Sequence, residues 1–411
     1  MNRRAFSGLR VLDLTHVLAG PACSYQLGLL GAEIIKIEEL GAGDTVRNRG
    51  GNAAQLLSEQ MGTHYLAQNA NKRSLALDLK TGAGQQILKR LAGTADVLVE
   101  NHRADALPKL GLGAKDLRSL NKRLIYCSMS GYGHTGPKRN APAYDVNIQA
   151  ASGLMGLTGT PEVTPLRTGA PILDYATALA AAFAVSAALF EREHTGEGKT
   201  IDVSMLDTAL TLMTSTVVDS LATGVAPRPK GNGANSGQPT SGSFATKDGL
   251  LSLGVNEEHQ FRRLAQVLDK PEWLENPSYA TRELRAEQAE AIKAELAHAL
   301  LSKPAAEWEA LLQTAGVPAA RVTTLAETLA SEQIKARGFL QPVEVAGRDL
   351  KLPLSPFHFD ANGPAVHSPP PKLGQHSEEI LLELGYSAQE IQVWLEQGVI
   401  QYSGEPQSSS R

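Results

Sequence analysis

Apolar and polar residues alternate from Leu9 to Leu14 and run into Thr15-His16, which predicts a strand. A Gly20-Pro21 break follows, then a helix over 22–30, a stop at Gly31 and a strand over 33–37. The same rhythm continues with a helix over 81–91, a buried strand over 96–99, a helix over 115–120 and a strand over 123–128. Strands that alternate with helices in this way imply a parallel, doubly wound α/β sheet.

The pattern changes between about 222 and 243, where Gly, Pro and Asn accumulate as they do in loops. Beyond it, Asp248-Gly249 sits between apolar alternations, a hairpin signal. Helical periods then cover 259–268, 283–301 and 304–315. The expected organisation is a Rossmann-like large domain over 1–225, an inserted smaller α+β domain over 226–328, and a return segment over 329–411 that completes the large domain. That segment carries a proline-rich connector at 368–371 and a last helix over 388–397. No internal repeat is present.

Composition narrows the function. The 411 residues include 39 basic and 43 acidic side chains, a net charge of −4, which excludes a general nucleic-acid track. Two cysteines, Cys23 and Cys127, are too few for a disulfide framework or a zinc site. The longest apolar run, 176–190, is interrupted by Thr177 and Ser186 and falls short of the roughly 18 residues that cross a bilayer. Residues 1–5 lead into a strand, not into the apolar core of a signal peptide. The expectation is a reduced, cytoplasmic enzyme that does not engage a membrane.

No G-x-G-x-x-G follows the first strand, so a dinucleotide site of the usual kind is not supported, and Gly111-Leu112-Gly113 is an isolated pair of glycines. One carboxylate stands out. Asp174 closes a Gly/Pro-containing loop and opens a helix so apolar, from Tyr175 to Phe190, that burial on all faces is expected. At a helix start the backbone N–H groups and the dipole favour an ionised carboxylate. Asp174 therefore reads either as an N-cap or as a nucleophile toward an activated acyl group. Spacing leaves both open.

Several blocks in order carry a resemblance. Residues 8–38 contain Val-Leu-Asp-Leu-Thr-His-Val-Leu-Ala-Gly-Pro and Leu-Gly-Ala-Glu-Ile-Ile-Lys-Ile-Glu. Gly43-Asp44-Thr45-Val46-Arg47 follows, then Asn71-Lys72-Arg73-Ser74 running on to Lys80, and Asp96-Val97-Leu98-Val99-Glu100-Asn101. Residues 130–137, Ala143-Tyr144-Asp145 and 195–199 complete the set. Over nearly its whole length the chain resembles the class III CoA-transferases, the CaiB/BaiF group whose branches include formyl-CoA transferases and α-methylacyl-CoA racemases.

The resemblance implies that Asp174 is the catalytic aspartate of a ping-pong CoA transfer through aspartyl anhydride and aspartyl-CoA thioester intermediates. Acyl-CoA and a carboxylic acid would be the substrates, with no metal or permanently bound cofactor. It maps CoA contacts onto Leu18 and Ala19, onto Leu77, Asp78, Leu79 and Lys80, and onto Asn101, His102 and Arg103. Lys109 stands where a phosphate-binding arginine is usual, keeping the charge without the bidentate fork. Arg47 and Lys72 are further candidates for phosphate, although each read alone is a solvated surface charge.

Leu18 replaces the glutamine of the formyl-CoA enzymes and Glu39 an arginine, which departs from formyl-CoA and oxalate specificity. Tyr144 occupies the position of the racemase histidine, and a phenol with an ordinary pKa near about 10 is a poor α-proton base at neutral pH. Transfer is therefore the first reading; racemisation or a silent CoA-binding protein are the alternatives. His134 reads as a loop or core histidine. The stretch 231–239 resembles the family's mobile glycine-rich loop, with Gly231, Gly233 and Gly237 retained, or reads as a plain linker. Arg167 is a candidate for a second substrate carboxylate or for a structural ion pair. The family's fold implies an interlocked homodimer.

Overall fold

Both faces of the central strands are buried, which is why they read as short apolar runs between helices. The computed structural model describes residues 3–51 and 54–403. β1 (Arg10–Leu14), β2 (Glu33–Glu38), β3 (Lys72–Leu77), β4 (Val97–Glu100), β5 (Ile125–Ser130) and β6 (Thr200–Ser204) pair in parallel. With β12 (Ile400–Gln401) at one edge, the sheet order is β12-β3-β2-β1-β4-β5-β6, so the chain reverses direction of growth between β3 and β4 beside β1. That is the strand order of doubly wound α/β folds, in which ligands sit at the carboxyl ends of the strands near this switch.

Alternate residues of one strand feed two different cores. Val11, Val97, Val99 and Cys127 pack with Cys23, Ala181 and Val185 on one face. Leu12, Leu14, Leu98 and Tyr126 pack with Ile87, Leu91 and Leu117 on the other. β12 (Ile400–Gln401) is antiparallel to β3, an exception to the expected parallel sheet. A two-residue edge strand carries too little pattern to be read in advance.

Two compact units divide the chain. One comprises residues up to 154, 168–222 and from 335 onward; the other comprises 155–167 and 223–334. The first also holds the hairpin of β10 (Leu340–Val345) and β11 (Arg348–Pro353). The second is built on an antiparallel sheet of β7 (Ser241–Ala245), β8 (Leu250–Gly254) and β9 (Ala319–Arg321), with Asp248-Gly249 in the turn between the first two. Its core gathers Leu251, Leu253, Phe261, Trp273, Leu296 and Trp308.

Three local expectations need correction. The first helix starts at Ala19, not at 22, because Pro21 lies in its first turn, where a missing N–H costs nothing. The helix expected over 283–301 breaks at Gln288 into Arg282–Glu287 and Ala289–Leu300. The first piece buries Arg285, which donates to Tyr279 O and to Glu258.

The long apolar helix runs over Ile172–Thr195, from Pro171 to a left-handed Gly196. Only one stripe of it is buried, including Leu173, Ala178, Ala181, Val185 and Ala188. Phe183 remains 76% and Phe190 71% exposed, so burial on all faces does not hold within one chain. At 24 residues the helix is, by length and composition, long enough to cross a membrane, which the interrupted apolar run did not suggest. Its buried stripe packs instead on the helix Ala19–Leu29 and on β5.

Candidate active site

β1 ends in a pair of buried charges. Asp13 bonds Lys72 Nζ at 2.9 Å, and Lys36 Nζ lies 3.2 Å from Asp44 and donates to Thr15 O. Burial alone would raise Asp13, but Lys36 and Lys72 hold it well below the usual carboxylate range. Lys72 is itself lowered to about 8, chiefly by desolvation.

Arg47 is equally enclosed, forking onto Glu38 at 2.8 and 2.7 Å. Burial pushes Glu38 up, yet the guanidinium outweighs it and keeps the acid at about 2. Arg47 and Lys72 are therefore neither surface charges nor free phosphate ligands: their charges are spent on partners inside the fold.

Above these pairs, at the carboxyl ends of β1–β3, lies a cavity of about 400 Å³. Leu77, Asp78, Leu79, Lys80 and His102 of the expected set come together on its wall. His16, Glu39, Asp44 and Leu107 join them. His102 is lowered to about 4 by burial and by the neighbouring His16 ring, 5.4 Å away, so it is a neutral imidazole at neutral pH. Lys80 is exposed and paired with Glu39 at 2.8 Å, so an acid occupies this cation.

The other candidates are placed differently. Leu18 is the N-cap of the first helix and Ala19 its first residue. Asn101 bonds both backbone groups of His16, at 2.9 and 2.8 Å, and so shapes the wall without lining it. Arg103 and Lys109 are exposed. Arg103 lines a second cavity of about 330 Å³ with Glu100, Ser128 and His134. There His134 Nε2 is 2.6 Å from Ser128 Oγ, which also bonds Glu100.

Asp174 stands in the first turn of the long helix, as its third residue and not its cap; Pro171 is the cap and makes no side-chain bond. The capping carboxylate is Asp145, whose Oδ2 accepts the N–H of Leu173 at 2.7 Å and of Asp174 at 3.3 Å. Burial first, and the charge of Asp145 second, push Asp174 up to about 7. The helix start does not keep it acidic. A dipole worth about 0.3–1 kcal/mol yields to desolvation and a like charge. Tyr144 stands at the N-cap position of the helix Asp145–Ala151 and is 62% exposed.

A family model described as CoA-transferase family III matches residues 6–377. The chain belongs to that family. Family III CoA-transferases with assigned activities align over most of it. Succinyl-CoA:glutarate CoA-transferase of Homo sapiens is 34% identical over 402 residues, covering 97% of this chain and 90% of that protein. Acetyl-CoA:oxalate CoA-transferase of Acetobacter aceti is 36% identical over 355 residues, 84% of this chain and 90% of that one. Formyl-CoA:oxalate CoA-transferase of Escherichia coli is 30% identical, with 93% and 96% covered.

A CaiB/BaiF family protein from Brucella suis superimposes with a TM-score of 0.80 at 30% identity, over 93% of this chain and 100% of that one. The enzyme is thus a CoA-transferase acting on CoA thioesters, as the ordered blocks indicated. Asp145 and Asp44 are the site residues whose roles the sequence did not reveal. Both lie inside the blocks that carried the resemblance, but only folding shows what they bond.

Proposed function

We propose that the enzyme moves CoA from an acyl-CoA to a carboxylate through covalent intermediates on Asp174. One Asp174 oxygen attacks the thioester carbonyl, the C–S bond breaks, and CoA leaves as the thiolate to give a mixed anhydride. The thiolate then attacks the aspartyl carbonyl, the anhydride C–O bond breaks, and the donor acid leaves as its carboxylate. The acceptor carboxylate attacks the resulting aspartyl-CoA thioester and expels the thiolate. The thiolate finally takes the acceptor's acyl carbon and frees Asp174. Every proton and electron pair is accounted for by these groups.

The observation that carries this reading is the desolvated state of Asp174, raised to about 7. A carboxylate stripped of water and pressed by Asp145 is a stronger nucleophile than a solvated one. CoA would occupy the 400 Å³ cavity beside Leu77–Lys80 and His102. Leu18, Ala19, Asn101, Arg103, Lys109 and Tyr144 would complete its path. Replacing Asp174 by Ala should abolish transfer without changing the melting temperature by more than a few degrees; unchanged transfer would refute the covalent route.

The substrates favoured are dicarboxylates. Relatives carry succinyl-CoA:glutarate and oxalate activities in their names. Arg167, seven positions before Asp174 in the chain, is exposed and forms no ion pair among the described residues. That leaves its fork for a substrate's second carboxylate. The 231–239 stretch, with Gly231 and Gly237 in left-handed conformations, resembles the family's mobile glycine-rich loop.

A homodimer is the assembly favoured. Tyr175, Leu179, Phe183 and Phe190 form an exposed apolar row on the long helix, near Leu212, Val218 and Leu221 in sequence. Such a row fits a second copy of the chain. Two buried free thiols, Cys23 and Cys127, suit a cytoplasmic location.

A further inference from the structure

Val17 has φ of 70°, a left-handed backbone that a β-branched residue rarely adopts. Such a conformation persists only where surrounding structure imposes it, and it gathers at functional sites. Here the restraints are visible on both sides of the residue. Its N–H donates to Asp44 Oδ1 at 3.0 Å, and its carbonyl accepts from Gln68 Nε2 at 2.7 Å.

Neither partner is local, and neither is free to move. Asp44 also accepts from Val46 N and pairs with Lys36, tying the loop to β2 and to the turn at 45–48. Gln68 is 1% exposed, and its Oε1 meets no other hydrogen-bonding group among the described residues. Its buried amide therefore serves the Val17 carbonyl alone. The residues before Val17 are held in the same manner. Asn101 bonds both backbone groups of His16, Lys36 bonds Thr15 O, and Asp13 bonds Thr15 N. Gly20 is required by the fold: a Cβ there would lie 2.3 Å from Thr15 Cβ.

We infer that Gln68 and Asp44 are positioning residues for the CoA thioester, clamping Val17 in the left-handed region so that Leu18 and Ala19 enter the first helix at a fixed angle. The clamp acts on backbone direction, not on substrate. It rests on the proposal that Leu18 and Ala19 meet CoA, and it is independent of whether Asp174 becomes acylated.

The discriminating experiment is a cycle between Gln68→Met, which removes the donor at nearly constant volume, and Val17→Gly, which removes the need for a clamp. Steady-state kinetics with succinyl-CoA and glutarate supply the readout, and wild-type trapping by hydroxylamine reports separately on Asp174. Gln68→Met is expected to raise KM for succinyl-CoA about ten-fold, with KM for glutarate unchanged. In the Val17→Gly background the same change should cost about two-fold or less. If Gln68→Met does not fold but the double variant folds with nearly wild-type KM, the clamp is supported. Equal losses in both backgrounds, an unchanged KM for succinyl-CoA, or a double variant that also fails to fold would overturn it.

Discussion

Asp145 accepts the backbone N–H of Asp174 at 3.3 Å, so the acid that caps the long helix is also the like charge that raises the acid within it. One group thus fixes the position of Asp174 and lowers its tendency to ionise. Burial adds the larger part of that rise.

Activity should rise with pH along a limb centred near 7, because the proposed nucleophile is the Asp174 carboxylate and its raised pKa keeps it protonated below that value. Asp145→Asn removes the charge while its carbonyl oxygen still accepts the helix N–H groups. The limb of kcat/KM should then move to lower pH. A pH–rate profile of both proteins checks this, and an unmoved limb counts against the pairing.

Stability follows the same proton linkage. Asp174 is higher in the folded than in the unfolded chain, so it binds a proton more tightly when folded. Its ionisation therefore destabilises the fold as pH climbs from about 4 toward 7. Asp174→Asn should raise the melting temperature at pH 8 by at least about 2 °C and leave it nearly unchanged at pH 4. Thermal denaturation at the two pH values decides.

Arg47 is buried on Glu38, and removing one partner strands a charge in the interior. Arg47→Met should cost about 3–5 kcal/mol by chemical denaturation. A solvated phosphate ligand would cost less than about 0.5 kcal/mol on substitution, so the two roles separate cleanly.

Arg167→Ala should raise KM for glutarate about ten-fold or more while leaving a monocarboxylate acceptor unaffected. A kinetic panel of acceptors of matched length tests this. Equal effects on both classes would assign Arg167 a structural role.

The repeating strands and helices were legible because both faces of the sheet are buried and the punctuation at Gly31, Thr81 and Asp248-Gly249 is local. What escaped depended on partners distant in the chain. Lys72 finds Asp13 59 positions away, and Asp174 owes its high pKa to burial first and then to Asp145, 29 positions earlier. Local rules gave a surface lysine and an ionised helix-start carboxylate; burial and neighbouring charge reversed both. The half-exposed long helix misled for another reason: an all-apolar run does not say that its own chain buries every face.

The covalent role of Asp174 is tested most directly by incubating the enzyme with an acyl-CoA and hydroxylamine and mapping the peptides by mass spectrometry. A hydroxamate is expected at Asp174, dependent on acyl-CoA and absent from Asp174→Asn. Rapid transfer with Asp174 unmodified would contradict it.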